Sequence, residues 1–160
     1  MELSATLRTT ATVNAVLEYV RDLDRYTEWM PLVHRAEPES GSQPAAWSVE
    51  LRARVGPFAR SKRLRMVRTV MDVGGVASPA RIVFERRELD GRPHAAWRLE
   101  VVVASVAVST TSDSSRGSTP VTELTMHLSY DGRFFVSVVE TILRQHIDEG
   151  RTRLSAMLAG

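Results

Sequence analysis

Apolar and polar residues alternate along most of the middle of the chain, and this alternation constrains the fold more than any other feature. In "AWSVELRARVG" every second residue from Trp47 to Val55 is apolar, and serine, glutamate or arginine fills the positions between. A period of two sends alternate side chains to opposite faces and predicts a strand with one buried face. Similar runs, separated by short polar turns, continue to Tyr130 and predict an antiparallel meander.

The apolar phase of these runs identifies side chains that should share the inward face of the sheet. They are Trp47, Leu51, Met66, Phe84, Trp97, Leu99, Met126 and Tyr130. Arg86 and Val70 fall in the same phase. A slip of one residue in the pairing would exchange the two faces of a strand, so the assignment depends on the register. "DGRP" at residues 90–93 predicts a hairpin turn, and the polar residues 109–119 predict a longer hairpin loop.

The N-terminal part of the chain combines one strand with two short helices. Residues 2–8 alternate and predict a strand, and from residue 13 onward apolar residues recur at helical spacing. Thr12 can cap the first helix. Pro31 disfavours a helical conformation of the residue before it, so the second short helix should end near Met30. A further strand over residues 32–39 follows.

The C-terminal part, over residues 133–158, predicts one long helix. Its apolar stripe is formed by Phe135, Val139, Ile142, Leu143, His146, Ile147, Gly150, Leu154 and Met157. Because each strand has one apolar and one charged face, the sheet should be covered on one side only, and this helix can cover it. The prediction is an α+β fold with about seven twisted antiparallel strands curled around the helix, in one domain spanning residues 1–160.

Composition excludes several classes of function. The net charge is only +2, and the high isoelectric point of about 9.5 comes from arginine, with Lys62 the only lysine. The long-range field is therefore weak, and we predict no nucleic-acid partner. The absence of cysteine excludes disulfides, thiolate metal sites and a cysteine nucleophile.

Targeting and cofactor motifs are missing from the sequence. The N-terminus does not read as a signal peptide, and no apolar run approaches the roughly 18 residues of a membrane span, so we predict a cytoplasmic protein. The four histidines show no paired metal-ligand spacing, and there is no nucleotide-binding glycine motif and no GxSxG. We therefore expect neither a metal nor a cofactor.

Three segments resemble a known superfamily. "ATVNAVLEYVRDLDRYTEWMP" is similar to its pattern of helix, aspartate, aromatic, tryptophan and proline, "WSVELRARVGPF" to its first long hairpin, and "RQHIDEGRTRLSAML" to its closing helix. The sequence resembles the SRPBCC superfamily, the helix-grip fold of START lipid-transfer domains, birch-pollen-allergen-like proteins and polyketide cyclases. The resemblance covers nearly the whole chain in element order.

The resemblance implies a deep apolar cavity between the sheet and the long helix, without universal catalytic residues. On that basis the predicted ligand-binding residues are Trp29, Trp47, Leu51, Met66, Phe84, Trp97, Leu99, Met126, Tyr130, Phe135, Ile142 and His146. The alternative is that these side chains simply fill a core. Trp29 can be a structural plug or part of a ligand gate, and Gly150 can reflect close packing or room for a ligand.

Three functions remain open from the sequence. The leading hypothesis is a protein that binds a small hydrophobic molecule, such as a lipid, a quinone or a polyketide. The second is a polyketide aromatase/cyclase acting on a carrier-bound chain, in which Arg86, Tyr130 or His146 would donate protons or stabilise an oxyanion. The third is an accessory module that docks on an oxidoreductase complex, and a homodimer or another protein partner is also left open.

Overall fold

The computed structural model of the chain describes residues 1–108, 119–133 and 136–160. Its strands are β1 (Glu2–Thr9), β2 (Val33–Pro38), β3 (Ala46–Val55), β4 (Phe58–Asp72), β5 (Ala80–Arg86), β6 (Trp97–Val108) and β7 (Thr119–Tyr130). Its helices are α1 (Val13–Val20), a 3₁₀ helix (Leu23–Glu28) and α2 (Val136–Ala159). The predicted loop over residues 109–119 lies, apart from Thr119, outside the described residues, and so does Phe135.

All seven strands form one antiparallel sheet in the order β1-β7-β6-β5-β4-β3-β2. From β2 to β7 each strand pairs with the next one in sequence, as expected for a meander, and β1 closes the order by pairing with β7. The sheet curls into a half-barrel, and α2 packs against its concave face. The predicted helix-grip α+β fold is therefore confirmed.

Local sequence explains the boundaries of several elements. The Thr12 hydroxyl accepts a hydrogen bond from the Ala15 N–H at 3.1 Å, which caps α1 as predicted. The turn between β3 and β4 begins at Gly56, whose φ of +61° suits a two-residue hairpin. Arg21 ends α1, and the chain continues into the 3₁₀ helix without a long loop.

One predicted strand phase is wrong. The pairing of β4 with β5 shifts by one residue between Arg68 and Val70, so Arg68 lies opposite Phe84 but Val70 lies opposite Val83. Because Phe84 and Val83 point to opposite faces, Val70 does not share the inward face of Met66. The β-bulge adds one residue to β4 alone, and this extra residue reverses the alternation beyond it.

The concave and convex faces differ in chemistry. The concave face, the two short helices and α2 enclose a single apolar cluster, which includes Tyr26, Trp29 and Phe84. The convex face carries ion pairs between neighbouring strands. Glu100 contacts both Arg81 and Arg98 at 2.8 Å. This charged layer keeps the outer face of the sheet in water, as the alternation predicts.

These outer ion pairs predict a loss of stability in acid. Hydrogen bonds from Arg65, Arg87 and Arg81 lower the pKa of Glu39, Glu85 and Glu100, respectively. Each of these carboxylates therefore has a pKa below its value in the unfolded chain.

Since the unfolded chain then binds more protons as the pH falls, the stabilisation is present above the unfolded pKa and is lost through the lower folded pKa. We expect the urea midpoint to fall steadily from about pH 6 to about pH 3. The Glu100→Gln variant should show a shallower fall over the same range. An equal slope in the two proteins would contradict this cause.

Candidate functional site

A partly open cavity of about 110 Å³ lies between the concave face of the sheet, the 3₁₀ helix and α2. It is lined by Leu3, Ala5, Leu23, Tyr26, Met30, Leu32, Val33, Val49, Leu51, Leu64, Met66, Trp97, Leu99, Met126, Leu128 and Ile147. Every strand except β5 contributes at least one of these side chains. The cavity therefore depends on the curl of the whole sheet rather than on one loop.

The wall of the cavity is almost entirely hydrocarbon and thioether. Two lining residues carry a polar side-chain atom. The Tyr26 hydroxyl donates to the carbonyl of Val20 at 3.0 Å, and burial raises the pKa of this phenol well above its ordinary value. Tyr26 is thus a neutral, satisfied group. The Trp97 Nε1 is buried and has no hydrogen-bond partner among the residues that the structure describes.

The size of the cavity limits what it can hold without rearrangement. A cavity of roughly 150 Å³ lined by aliphatic and aromatic side chains can hold a benzene-sized molecule, whereas drug-sized ligands occupy roughly 300–1,000 Å³. The 110 Å³ available here suits one ring or a short chain. Met30, Met66 and Met126 line the space, and their unbranched thioethers can repack around a larger molecule.

The residues predicted to bind a ligand separate into several groups. Leu51, Met66, Trp97, Leu99 and Met126 line the cavity. They come from β3, β4, β6 and β7, and the pairing of those strands with their neighbours brings them together.

Trp47 and Phe84 lie in the packed core instead of on the cavity wall. Their rings meet edge to face at 5.7 Å between centroids, and both are buried. The Trp47 Nε1 donates to the Asp24 carboxylate at 2.8 Å, which ties β3 to the 3₁₀ helix. Their role in the described structure is to pack the two layers together.

Trp29 is buried next to Met30, which lines the cavity, but does not line the cavity itself. Its ring is 1% exposed, lies 4.7 Å from the ring of Tyr26, and donates from Nε1 to the carbonyl of Tyr19 at 3.1 Å. Together with Met30 and Leu154 it borders a second space of only about 20 Å³. The geometry is that of a structural plug with its N–H satisfied.

Ile142 and His146 lie on the flank of α2, away from the cavity. Both border a surface groove opposite the tip of the hairpin formed by β3 and β4. The His146 Nδ1–H donates to the carbonyl of Ile142 at 2.8 Å, one turn earlier in the helix. Tyr130 packs its ring against Trp97 at 4.7 Å and does not line the cavity itself.

Arg86 lies on the inward face, as its phase indicates, and finds its counter-ion within the chain. Its side chain is 8% exposed, and its Nε donates to Glu88 Oε1 at 2.7 Å. The two terminal nitrogens face the carbonyl of Ala95 and the Nδ1 of His94, each at 3.3 Å. An anionic ligand is therefore not needed to neutralise this guanidinium.

With this geometry established, comparison with known proteins identifies the family. The family model described as "Polyketide cyclase / dehydrase and lipid transport" matches residues 1–159. The chain belongs to this family. Its membership of the SRPBCC superfamily, which the sequence predicts, is thereby confirmed. No curated protein sequence matches the chain.

Several solved structures are similar in fold to this family member. TTHA0849 from Thermus thermophilus has a TM-score of 0.61 at 13% identity, over 99% of this chain and 97% of that one. The XoxI protein of Bacillus cereus has a TM-score of 0.57 at 8% identity, over 99% and 95%. The di-domain ARO/CYC BexL of the BE-7585A biosynthetic pathway has a TM-score of 0.54 at 14% identity, over 98% of this chain but only 49% of its own.

Gly150 shows how tightly α2 packs against the corner formed by Trp29 and Met30. A Cβ atom at Gly150 would lie 3.0 Å from both the sulfur and the methyl carbon of Met30, and 3.4 Å from the carbonyl oxygen of Trp29. Close packing against the Trp29–Met30 corner explains the glycine.

Lys62 lies beside the cavity wall and was not among the residues predicted from the sequence. Its Nζ lies 5.6 Å from the centroid of the Trp97 ring and 5.5 Å from that of Tyr130. Its strand phase, two residues before Leu64, was the available indication. Several aliphatic residues of the wall, such as Leu3, Leu23 and Leu128, were likewise not predicted.

Neither a metal cluster nor a membrane-spanning helix occurs in the described part of the chain. Residues 1–108, 119–133 and 136–160 contain no cluster of three or more histidine, aspartate or glutamate side chains arranged to hold a metal ion. In the same residues, no helix has the length and apolar character needed to cross a membrane.

Proposed function

We propose that this chain, acting as one domain over residues 1–160, binds one small apolar molecule in the cavity between the sheet and α2. The observation that carries the proposal is the cavity of about 110 Å³ with an almost wholly apolar wall. A packed core seldom leaves voids larger than a water molecule, because empty space forfeits dispersion contacts. Ligand sites of this class are mostly apolar with a few placed polar groups.

The positions of the three candidate catalytic residues favour a binding protein over a catalyst. Arg86 uses its donors on Glu88, Ala95 and His94. His146 borders the outer groove, and the ring of Tyr130 packs against Trp97 without lining the cavity. Acid–base catalysis requires a group within hydrogen-bond reach of the reacting atom. In the described structure none of the three lines the cavity.

A polyketide aromatase/cyclase is the second candidate. Two observations favour it, namely the family description, which includes polyketide cyclases and dehydrases, and the fold similarity to one half of an ARO/CYC protein. In that case the cavity would hold a reactive chain and turnover would depend on Arg86, Tyr130 or His146. His146→Ala, at a residue that borders the outer groove, would abolish cyclisation of a polyketide substrate if His146 is the catalytic group and would leave the binding of an unreactive apolar molecule intact.

The proposed binding function is tested by filling the cavity. Ala5 lines both the cavity and the small space beside Trp29, so leucine at this position occupies room that a ligand would use. We expect the wild-type protein to bind p-xylene at one molecule per chain, measured by calorimetry. The Ala5→Leu variant should bind at least tenfold more weakly. Its free energy of unfolding should change by about 1 kcal/mol or less, because the added methyl groups enter existing space.

Ala104→Leu provides the matched control. Ala104 lies on β6 in the phase opposite to Val103 and pairs with Glu123, away from the cavity. This variant should bind p-xylene like the wild-type protein. Equal binding by Ala5→Leu and wild-type protein, or no binding by either, would overturn the proposal.

A further inference from the structure

Lys62 stands at the edge of the cavity on the concave face of the sheet. It lies two residues before Leu64 on β4 and pairs with Leu51 on β3, and both of these leucines line the cavity. Its Nζ lies 5.6 Å from the centroid of the Trp97 ring, which is part of the wall. The chain's single lysine thus does not line the cavity itself but lies beside its wall, next to Trp97.

Among the residues that the structure describes, no carboxylate forms a direct ion pair with Lys62. Arg68 has the same phase as Lys62 on β4, and Arg86 on β5 lies on the same face of the sheet. Each of these two arginines contacts a carboxylate oxygen at 2.7 Å. Within the described part of the chain, Lys62 instead contacts the rings of Trp97 and Tyr130. A cation held over aromatic faces is attracted to their negative quadrupole, and this attraction is weaker than an ion pair with a desolvated carboxylate.

The charged groups around Lys62 leave room for an additional negative charge. Burial, followed by repulsion from Arg86, lowers the pKa of Lys62, and Glu88 opposes this shift. Glu88 accepts from Arg86 Nε at 2.7 Å and from the Arg65 backbone N–H at 3.2 Å, both through Oε1, so one of its two oxygens is engaged by these neighbours. An oxyanion beside Lys62 would favour the ammonium form and offset both effects.

A second unused donor lies in the same wall. Trp97 is 7% exposed, and its Nε1 has no hydrogen-bond partner among the described residues. Buried polar groups in folded proteins are normally hydrogen-bonded, so an unpaired indole N–H requires an explanation. Because Nε1 is itself buried, a ligand oxygen can satisfy it only if the ring turns its N–H towards the cavity.

We propose that Lys62 and Trp97 form the polar end of the binding site, and that the ligand is an apolar molecule that ends in a carboxylate or a comparable oxyanion. The inference rests on the proposed function, because it assigns the chemistry of the molecule held in that cavity. The apolar body lies among the leucines and methionines, and the anionic end faces the ammonium group.

The test compares two probes of the same shape, p-toluate and p-xylene, which differ by a carboxylate in place of a methyl group. We expect the wild-type protein to bind p-toluate at least tenfold more tightly than p-xylene. Lys62→Met should lower the ratio of p-toluate affinity to p-xylene affinity at least tenfold, which removes the preference for the carboxylate. Lys62→Arg keeps the charge and should keep most of the preference.

Arg63→Met is the control for the loss of a positive charge on β4. Its side chain is 77% exposed and lies on the opposite face of the strand, so both probes should bind as they do to the wild-type protein. Thermal unfolding of each variant establishes that it is folded. If p-xylene binds but p-toluate has no advantage, or keeps its advantage in Lys62→Met, the inference fails and the proposed function stands. If p-xylene does not bind, both fail.

Discussion

Replacing Trp29 with alanine is expected to lower the free energy of unfolding by about 3–5 kcal/mol. The side chain is 1% exposed, packs against Tyr26 and uses its Nε1 on the carbonyl of Tyr19. Truncation removes its apolar contacts and leaves a void beside the small existing space under Met30. Urea denaturation followed by circular dichroism measures the change directly.

Trp29→Phe separates the two contributions of the side chain. The phenyl ring retains much of the apolar contact but is smaller than indole and lacks the N–H that donates to Tyr19, so we expect it to cost about 1–3 kcal/mol, less than Trp29→Ala. If Trp29→Ala unfolds within about 1 kcal/mol of the wild-type protein while p-xylene binding collapses, Trp29 is a ligand gate and not a structural plug.

Replacing Glu88 with alanine should have the second large effect, a loss of about 3–5 kcal/mol. Arg86 has a side chain only 8% exposed, and Glu88 accepts its Nε–H at 2.7 Å. Removing the carboxylate leaves a guanidinium on the inward face without its counter-ion. Glu88 also accepts the Arg65 backbone N–H at 3.2 Å, and this donor loses its partner as well.

The double replacement of Arg86 by methionine and Glu88 by leucine is the informative control. Because it removes both charges together, it leaves no uncompensated ion and should recover most of the stability lost by Glu88→Ala. Chemical denaturation of the single and double variants completes the comparison. A double variant as unstable as Glu88→Ala would show that the backbone contacts, rather than the charge, dominate.

The face of each strand could be read from the sequence wherever the alternation is unbroken. From Trp47 to Val55 the predicted inward residues lie on the concave side, and the pairing with β4 keeps that phase. Beyond Arg68 the prediction failed at Val70, because the bulge is set by how β4 meets β5 and leaves no mark on the local pattern.

The sequence could not predict in the same way whether an inward residue lines the cavity or is covered by a helix. Trp47 and Met66 are paired neighbours on one face, yet Met66 lines the cavity while Trp47 lies under the 3₁₀ helix with its N–H on Asp24. A period of two specifies the face and says nothing about which element lies above it. This is the physical reason why core and cavity residues were mixed in the predicted site.

The C-terminal helix and Lys62 show two further limits of the pattern. A helical stripe identifies a broad face, and Ile142 and His146 lie at its border, next to the outer groove. Lys62 is one charged residue in an inward phase, in a run that otherwise reads as a solvated strand end. The curl of the sheet brings Lys62 on β4 close to the rings of Trp97 and Tyr130, and the local sequence pattern does not predict this proximity.

The most direct test of the cavity as a binding site is a set of intermolecular nuclear Overhauser effects between p-xylene and the methionine methyl groups. Met30, Met66 and Met126 line the cavity, whereas Met71 is 39% exposed on the surface and serves as an internal control. We predict effects to the first three methyl groups and none to Met71. Effects confined to Met71 or to the groove at His146, with none to the three cavity methionines, would contradict the account.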